Sequence, residues 1–97
     1  FRPCDATETL ECWELAIEST STPSILSLTR QNIPHLRNTF SSENLCAKGG
    51  YVISPASGEA KVTLIATGSE VSLAVEAQKK LQDKNIPAKV VSLPCWE

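Results

Sequence analysis

No two of the four cysteines, Cys4, Cys12, Cys46 and Cys95, stand at the Cys-x-x-Cys spacing of a zinc site. Nothing else in the chain suggests secretion. They are therefore read as four reduced thiols, with Cys12 serving as a small buried apolar group. There is one histidine, His35, with no cysteine or carboxylate at ligand spacing. It reads as an exposed turn residue rather than a catalytic base. Charge is nearly balanced, at net −2, which leaves no field for nucleic acid or an anionic membrane. No apolar run approaches the roughly 20 residues of a membrane span. No basic start followed by an apolar stretch and a small-residue cleavage site marks a signal peptide. Internal repeats, low-complexity segments and charge runs are also missing.

What is present begins with a helix. Phe1-Arg2-Pro3 is extended, because the residue before a proline avoids the α region. Asp5 and Glu8 approximate a capping box, and both acids suit the positive end of a helix dipole. Ala6, Leu10, Trp13 and Ile17, with Ala16 beside them, fall on one helical face. That stripe predicts a packing face with Trp13 in the core. Pro23 ends any continuation, and residues 24–29, with Ile25, Leu26 and Leu28, read as a short buried strand.

This strand ends on Arg30, with a turn at Asn32 to Pro34. Ligands of open α/β sheets bind where strands end. A guanidinium there is a planar, permanent cation suited to a phosphate or carboxylate. A single charge at a strand end equally suits a structural ion pair at the sheet edge, and on chemistry alone that is the favoured reading.

From His35 to Gly50 the pattern dissolves into loop residues, and Tyr51 to Ile53 reads as a short edge strand. Val62 to Ala66 is a mostly apolar strand of the kind found inside parallel sheets. Thr67-Gly68-Ser69 makes a turn, with Ser69 as the expected N-cap of a helix from Glu70 to about Lys84. Val71, Ala74, Val75, Gln78 and Leu81 trace its inner face, interrupted only by Gln78. Ala88 to Leu93 then predicts a second parallel strand, reached by a right-handed crossover. The strand, turn and helix order invites a nucleotide-binding reading. However, the turn holds one glycine, and Glu70 puts a negative charge where a phosphate would sit, so a helix cap is preferred.

Three segments carry a family resemblance, in the right order. Leu28-Thr29-Arg30-Gln31-Asn32-Ile33-Pro34 closely resembles the Leu-Ser-Arg-Gln-Asn-Leu-Pro segment of transketolases. Phe1-Arg2-Pro3-Cys4-Asp5-Ala6, with Glu8-Thr9 and Trp13, resembles their Phe-Arg-Pro-Ala-Asp segment. Ala66-Thr67-Gly68-Ser69-Glu70-Val71 resembles their Ala-Thr-Gly-Ser-Glu-Val segment. Thr29 and Ile33 are mild departures, and Thr39 to Cys46 matches nothing specific.

The resemblance implies an internal fragment, since a transketolase is several times longer than 97 residues. The expected fold is α/β, made of pieces of two parallel-sheet three-layer domains. Residues 1–35 would end the pyrimidine-binding domain, 36–59 would form a linker with a short strand, and 60–97 would begin the C-terminal domain. The implied activity is transfer of a two-carbon ketol unit between sugar phosphates, in the pentose phosphate pathway. The parent would be a cytoplasmic homodimer that uses thiamine diphosphate and a divalent metal, magnesium or calcium. Arg30 inherits the family's substrate-phosphate contact. No residue inherits a catalytic, metal-binding or cofactor-binding role, and no nucleic acid or membrane partner is implied. Two alternatives stand beside this reading. One is another thiamine-diphosphate enzyme, such as a deoxyxylulose-phosphate synthase or a 2-oxo acid dehydrogenase β chain. The other is a non-catalytic assembly module. The Arg30-Gln31-Asn32 run after a strand favours transketolase.

Residues 1–97 alone are expected neither to bind thiamine diphosphate nor to transfer a ketol unit, because they carry no metal-binding or cofactor-activating segment. They are also expected to be poorly stable, since small cores supply only about 3–5 kcal/mol. Calorimetry with thiamine diphosphate and magnesium checks the first point, and tight binding would overturn it.

Overall fold

A computed structural model of the chain describes residues 1–39 and 41–96. Phe40, inside the expected linker, and Glu97, at the end of the expected C-terminal piece, lie outside the described residues. Helix α1 spans Ala6–Glu18 and is followed by a long extended strap. A short 3₁₀ turn, Leu45–Lys48, leads into strand β1, Tyr51–Ser54. Strand β2, Val62–Ala66, is joined through a 3₁₀ turn at Gly68–Glu70 to helix α2, Val71–Asp83. Strand β3, Ala88–Ser92, completes a three-stranded sheet of order β1-β3-β2.

The parallel pair is the one expected from the sequence. β2 and β3 align from Val62 opposite Ala88 to Ala66 opposite Ser92. The sheet as a whole is mixed, because β1 runs antiparallel to β3 on its other side, with an irregularity between Val52 and Ser54. The short strand read in the linker therefore belongs to the same sheet as β2 and β3. Cys4, Val71 and Val90 form the buried apolar centre, and Leu36, Ile53, Leu64, Ala66, Ala74 and Val75 pack on it.

α2 presents the face its periodicity predicts. Gln78, the polar interruption in that face, is buried and joins three segments. Its Nε2 donates to the carbonyls of Ala88 (2.9 Å), Pro55 (3.2 Å) and Ser54 (3.3 Å), and its Oε1 accepts from Ser54 Oγ (2.8 Å). A buried amide is tolerated when its donors and acceptor are matched in this way. The helix stops at Asn85, whose φ of 62° is a left-handed conformation that asparagine tolerates.

Three expectations are corrected. Ser69 does not cap α2: the N-cap position is Glu70, without a side-chain cap bond, and Ser69 contributes only its carbonyl to Ser72 Oγ. The 3₁₀ turn Gly68–Glu70, with Gly68 at φ 59°, intervenes and moves the cap and the helix start on by one residue. Residues 24–29 are extended but form no strand, and Ile25 is 79 % exposed. A strand needs a ladder, and here only Phe1 offers one: Ser27 N–H donates to Phe1 O (2.8 Å), and the Phe1 amino group to Ile25 O (2.7 Å).

The third correction is the largest. The apolar stripe of α1 faces outward, with Leu10 70 %, Trp13 51 % and Ile17 74 % exposed. The buried face is Glu8, Glu11 and Cys12. Trp13 is thus half exposed within these 97 residues rather than packed in their core, whereas Cys12 is fully buried as expected. The carboxylates turn inward because backbone and side-chain donors wait for them there, and the apolar stripe follows passively on the opposite face.

Candidate functional site

The polar face of α1 is built from its first residue. Asp5 caps the helix, with Oδ1 accepting from Glu8 N–H at 2.8 Å. Its second oxygen is spent elsewhere. Asp5 Oδ2 accepts from the backbone N–H groups of Leu36 (3.1 Å) and Arg37 (2.9 Å), on the returning arm of the strap. The capping-box expectation holds in modified form, since Glu8 Oε1 accepts from Cys4 N–H (2.8 Å), one residue before the N-cap.

Glu8 is fully buried, and its other oxygen is doubly bonded. Oε2 accepts from Tyr51 OH on β1 (2.6 Å) and from Ser92 Oγ on β3 (2.7 Å). One carboxylate therefore holds the segment before α1 and both antiparallel strands. Burial, followed by the hydrogen bond and charge of Glu8, pushes the Tyr51 phenol above its ordinary range. Tyr51 is consequently a fixed donor and not a base. Burial and the charges of Glu8 and Asp5 likewise push the Cys4 thiol up, which removes it as a nucleophile. The bond to Cys12 and burial do the same to Cys46. All four cysteines are free of disulfides.

Glu11, one turn on, accepts from Arg37 Nη1 (2.6 Å) and from Cys46 N–H (3.3 Å). Burial pushes the Glu11 carboxyl up, but the bonds from Arg37 and Cys46 and the Arg37 charge outweigh it, and its pKa lies below the ordinary glutamate value. Burial pulls Arg37 down, while Glu11 and Tyr51 hold it above its ordinary value, so it stays charged. The Arg37 guanidinium also lies over the Tyr51 ring, 5.5 Å from its centroid.

Arg30 stands apart from this cluster. It sits exposed at the bend of the strap, and its guanidinium has no hydrogen bond or ion pair among the described residues. The ion-pair alternative favoured by chemistry alone thus has no partner there. Local order at the bend comes from Thr29 Oγ1, which accepts from Gln31 N–H at 3.1 Å. His35 is exposed, with its ring Nε2 3.5 Å from Thr7 Oγ1. A separate cleft of about 470 Å³, lined by Phe1, Arg2, Pro23, Ile25, Pro94 and Trp96 among others, does not include Arg30. Arg2, which lines it, is paired with Glu70 at 3.3 Å.

Sequence reasoning missed Glu8, Glu11, Tyr51, Ser92 and Arg37 as one cluster. The signal was the three-residue spacing of Asp5, Glu8 and Glu11, which places acids on a single helical face opposite the apolar stripe.

Residues 49–97 match the family described as the transketolase-like TK C-terminal domain. The chain belongs to the transketolase family. Over its whole length it is 52 % identical to the transketolase of Sinorhizobium medicae and 51 % identical to a probable transketolase of Schizosaccharomyces pombe. It spans 14 % of the length of each of these relatives. Among solved structures, the Pichia stipitis transketolase complex with sedoheptulose 7-phosphate superposes at a TM-score of 0.86 and 51 % identity, over 97 % of this chain and 14 % of that one. The Leishmania mexicana transketolase gives 0.83 and 38 %, over 98 % and 14 %. The transketolase resemblance read from the three segments is therefore correct, and the chain is a transketolase C-terminal fragment. The small mixed α/β sheet is the fold of that family's C-terminal domain.

The Glu11–Arg37 pair has a pH signature. A carboxylate with a depressed folded pKa stabilises the fold above the ordinary value of 4.5, and that stability is lost as pH falls through the lower folded value. At neutral pH, Glu11→Gln should cost about 2–3 kcal/mol, and the gap to the parent chain should close below pH 4.5. Urea midpoints against pH measure it; a gap constant down to acid pH would show that Glu11 ionisation contributes nothing.

Proposed function

We propose that the chain is a segment of a larger transketolase that transfers a two-carbon ketol unit between sugar phosphates. The observation that carries this is the 52 % identity over the full 97-residue span, which includes the arginine turn. The Pichia stipitis enzyme has been solved with fructose 6-phosphate, xylulose 5-phosphate and sedoheptulose 7-phosphate. Their shared handle is a phosphate remote from the reacting carbons. Arg30, exposed and unpaired among the described residues, is the group we assign to that phosphate.

The same reading makes the parent a cytoplasmic homodimer of the pentose phosphate pathway, with thiamine diphosphate and magnesium or calcium. It divides the chain into residues 1–35, 36–59 and 60–97 as expected above, with a right-handed crossover between β2 and β3. The described residues do not fit the cofactor. The oxygens of Asp5 and Glu8 that would bind a metal are already bonded by Glu8, Leu36, Arg37, Cys4, Tyr51 and Ser92. Glu70, beside the helix start, is negative and paired with Arg2. The cofactor's residues therefore belong to the rest of the parent. This segment contributes substrate binding.

The test is Arg30→Ala in the full-length enzyme. Losing hydrogen bonds to a charged group costs about 1.5–3 kcal/mol, so kcat/KM for phosphorylated sugars should fall roughly 10- to 150-fold. The loss should appear as a raised KM, because the phosphate is held alike in ground and transition states. Short unphosphorylated donors should be nearly unaffected. Arg30→Lys should recover part of the loss, keeping the charge without the fork. An equal loss on both substrate types would mean that Arg30 supports the fold rather than the phosphate.

A further inference from the structure

Arg30 sits on a strap whose two arms are held very differently. The outgoing arm is tied at residues 25–27 by two backbone bonds to Phe1. The returning arm is tied at residues 36–37 by a single carboxylate. Asp5 Oδ2 accepts from both Leu36 N–H (3.1 Å) and Arg37 N–H (2.9 Å), and Arg37 reaches on to Glu11 (2.6 Å). Leu36 packs on the apolar centre beside Cys4 and Val71. Between the arms, residues 28–35 have only the Thr29–Gln31 bond and the long Thr7–His35 contact among the described residues. The bend that carries Arg30 is thus suspended from two anchors, and the second is charged and buried.

We propose that Asp5 and the Glu11–Arg37 ion pair are positioning residues for Arg30, fixing the strap so that the guanidinium is presented to the substrate phosphate. This rests on the assignment of Arg30 made above. Asp5 is suited to the task because its other oxygen caps α1, so the strap takes its position from a rigid helix end. A loop ordered before its ligand arrives binds more tightly, since the ordering is not charged to the binding step. Releasing the anchor returns that cost and leaves the reacting carbons untouched.

The experiment is steady-state kinetics of the full-length enzyme with fructose 6-phosphate and with fructose. Asn in place of Asp5 exchanges one acceptor oxygen for an amide donor, so it cannot serve the cap and the strap together. Asp5→Asn should raise KM for fructose 6-phosphate about three- to tenfold, the effect of one ordinary hydrogen bond, with kcat and the fructose reaction unchanged. Added to Arg30→Ala, it should leave the remaining KM unchanged, because there is then no guanidinium to place. Arg37→Gln should act as Asp5→Asn does, and Arg37→Lys should restore much of the loss by keeping the pair with Glu11. If Asp5→Asn does not fold, the Arg37 variants decide the matter.

A KM ratio between the two substrates that stays at the parental value, or an additive effect in the Arg30→Ala background, would overturn the positioning role while leaving Arg30 itself assigned. Failure of Arg30→Ala to discriminate between the two substrates would instead remove the assignment, and this inference with it.

Discussion

A carboxylate with no exposure to water must find its solvation inside the protein, and Glu8 does so with three neutral donors from three segments. Removing a charge from water is costly unless each lone pair is matched. Cys4 N–H, Tyr51 OH and Ser92 Oγ supply that match, and none can move without leaving the charge unsolvated. The tie between α1 and the strands β1 and β3 follows from this requirement. So does the outward direction of Leu10, Trp13 and Ile17, which lie on the opposite face of the same helix. Around this centre, the neighbouring acids complete a division of labour by helical spacing. Asp5 holds the strap and the cap, Glu8 holds the sheet, and Glu11 holds Arg37 and the 3₁₀ turn through Cys46.

That division bears on the substrate binding proposed above. Among the described residues, Tyr51 and Cys4 are held protonated in the interior, and Arg37 is held charged against Glu11. The exposed bend of the strap is left with Arg30, whose charge is not spent on an internal partner among the described residues. The internally paired polar interior thus leaves Arg30 at the surface, where the phosphate contact proposed above would form.

Where packing and local rules agree, the sequence was legible. The apolar runs of β2 and β3, the period of α2 and its stop at Asn85 lie close to where they are expected, because Val71, Ala88 and Val90 are buried and Leu64 packs on that centre, although β2 is an edge strand with Ile65 exposed. α1 was legible in extent and cap but not in orientation. Periodicity ranks faces by hydrophobicity, and here buried hydrogen bonds outweigh the apolar stripe. Residues 24–29 misled for a related reason: a strand is a property of a pair, and sequence shows only one member. Arg30 became a phosphate candidate through the family resemblance, since on its chemistry alone a structural ion pair was the favoured reading. Asp5 was legible as a cap but not as the anchor of residues 36–37, because those contacts span more than 30 positions.

The claim that Glu8 organises the structure is tested most directly by a double-mutant cycle with Tyr51. Urea unfolding, in buffer with sucrose to strengthen a marginal fold, would compare Tyr51→Phe in the parent chain and in the Glu8→Ala variant. If the phenol is bonded to the buried carboxylate, Tyr51→Phe costs about 1.5–3 kcal/mol in the parent and close to nothing once Glu8 is gone. Equal costs in the two backgrounds would contradict the account, for the hydroxyl would then owe nothing to Glu8.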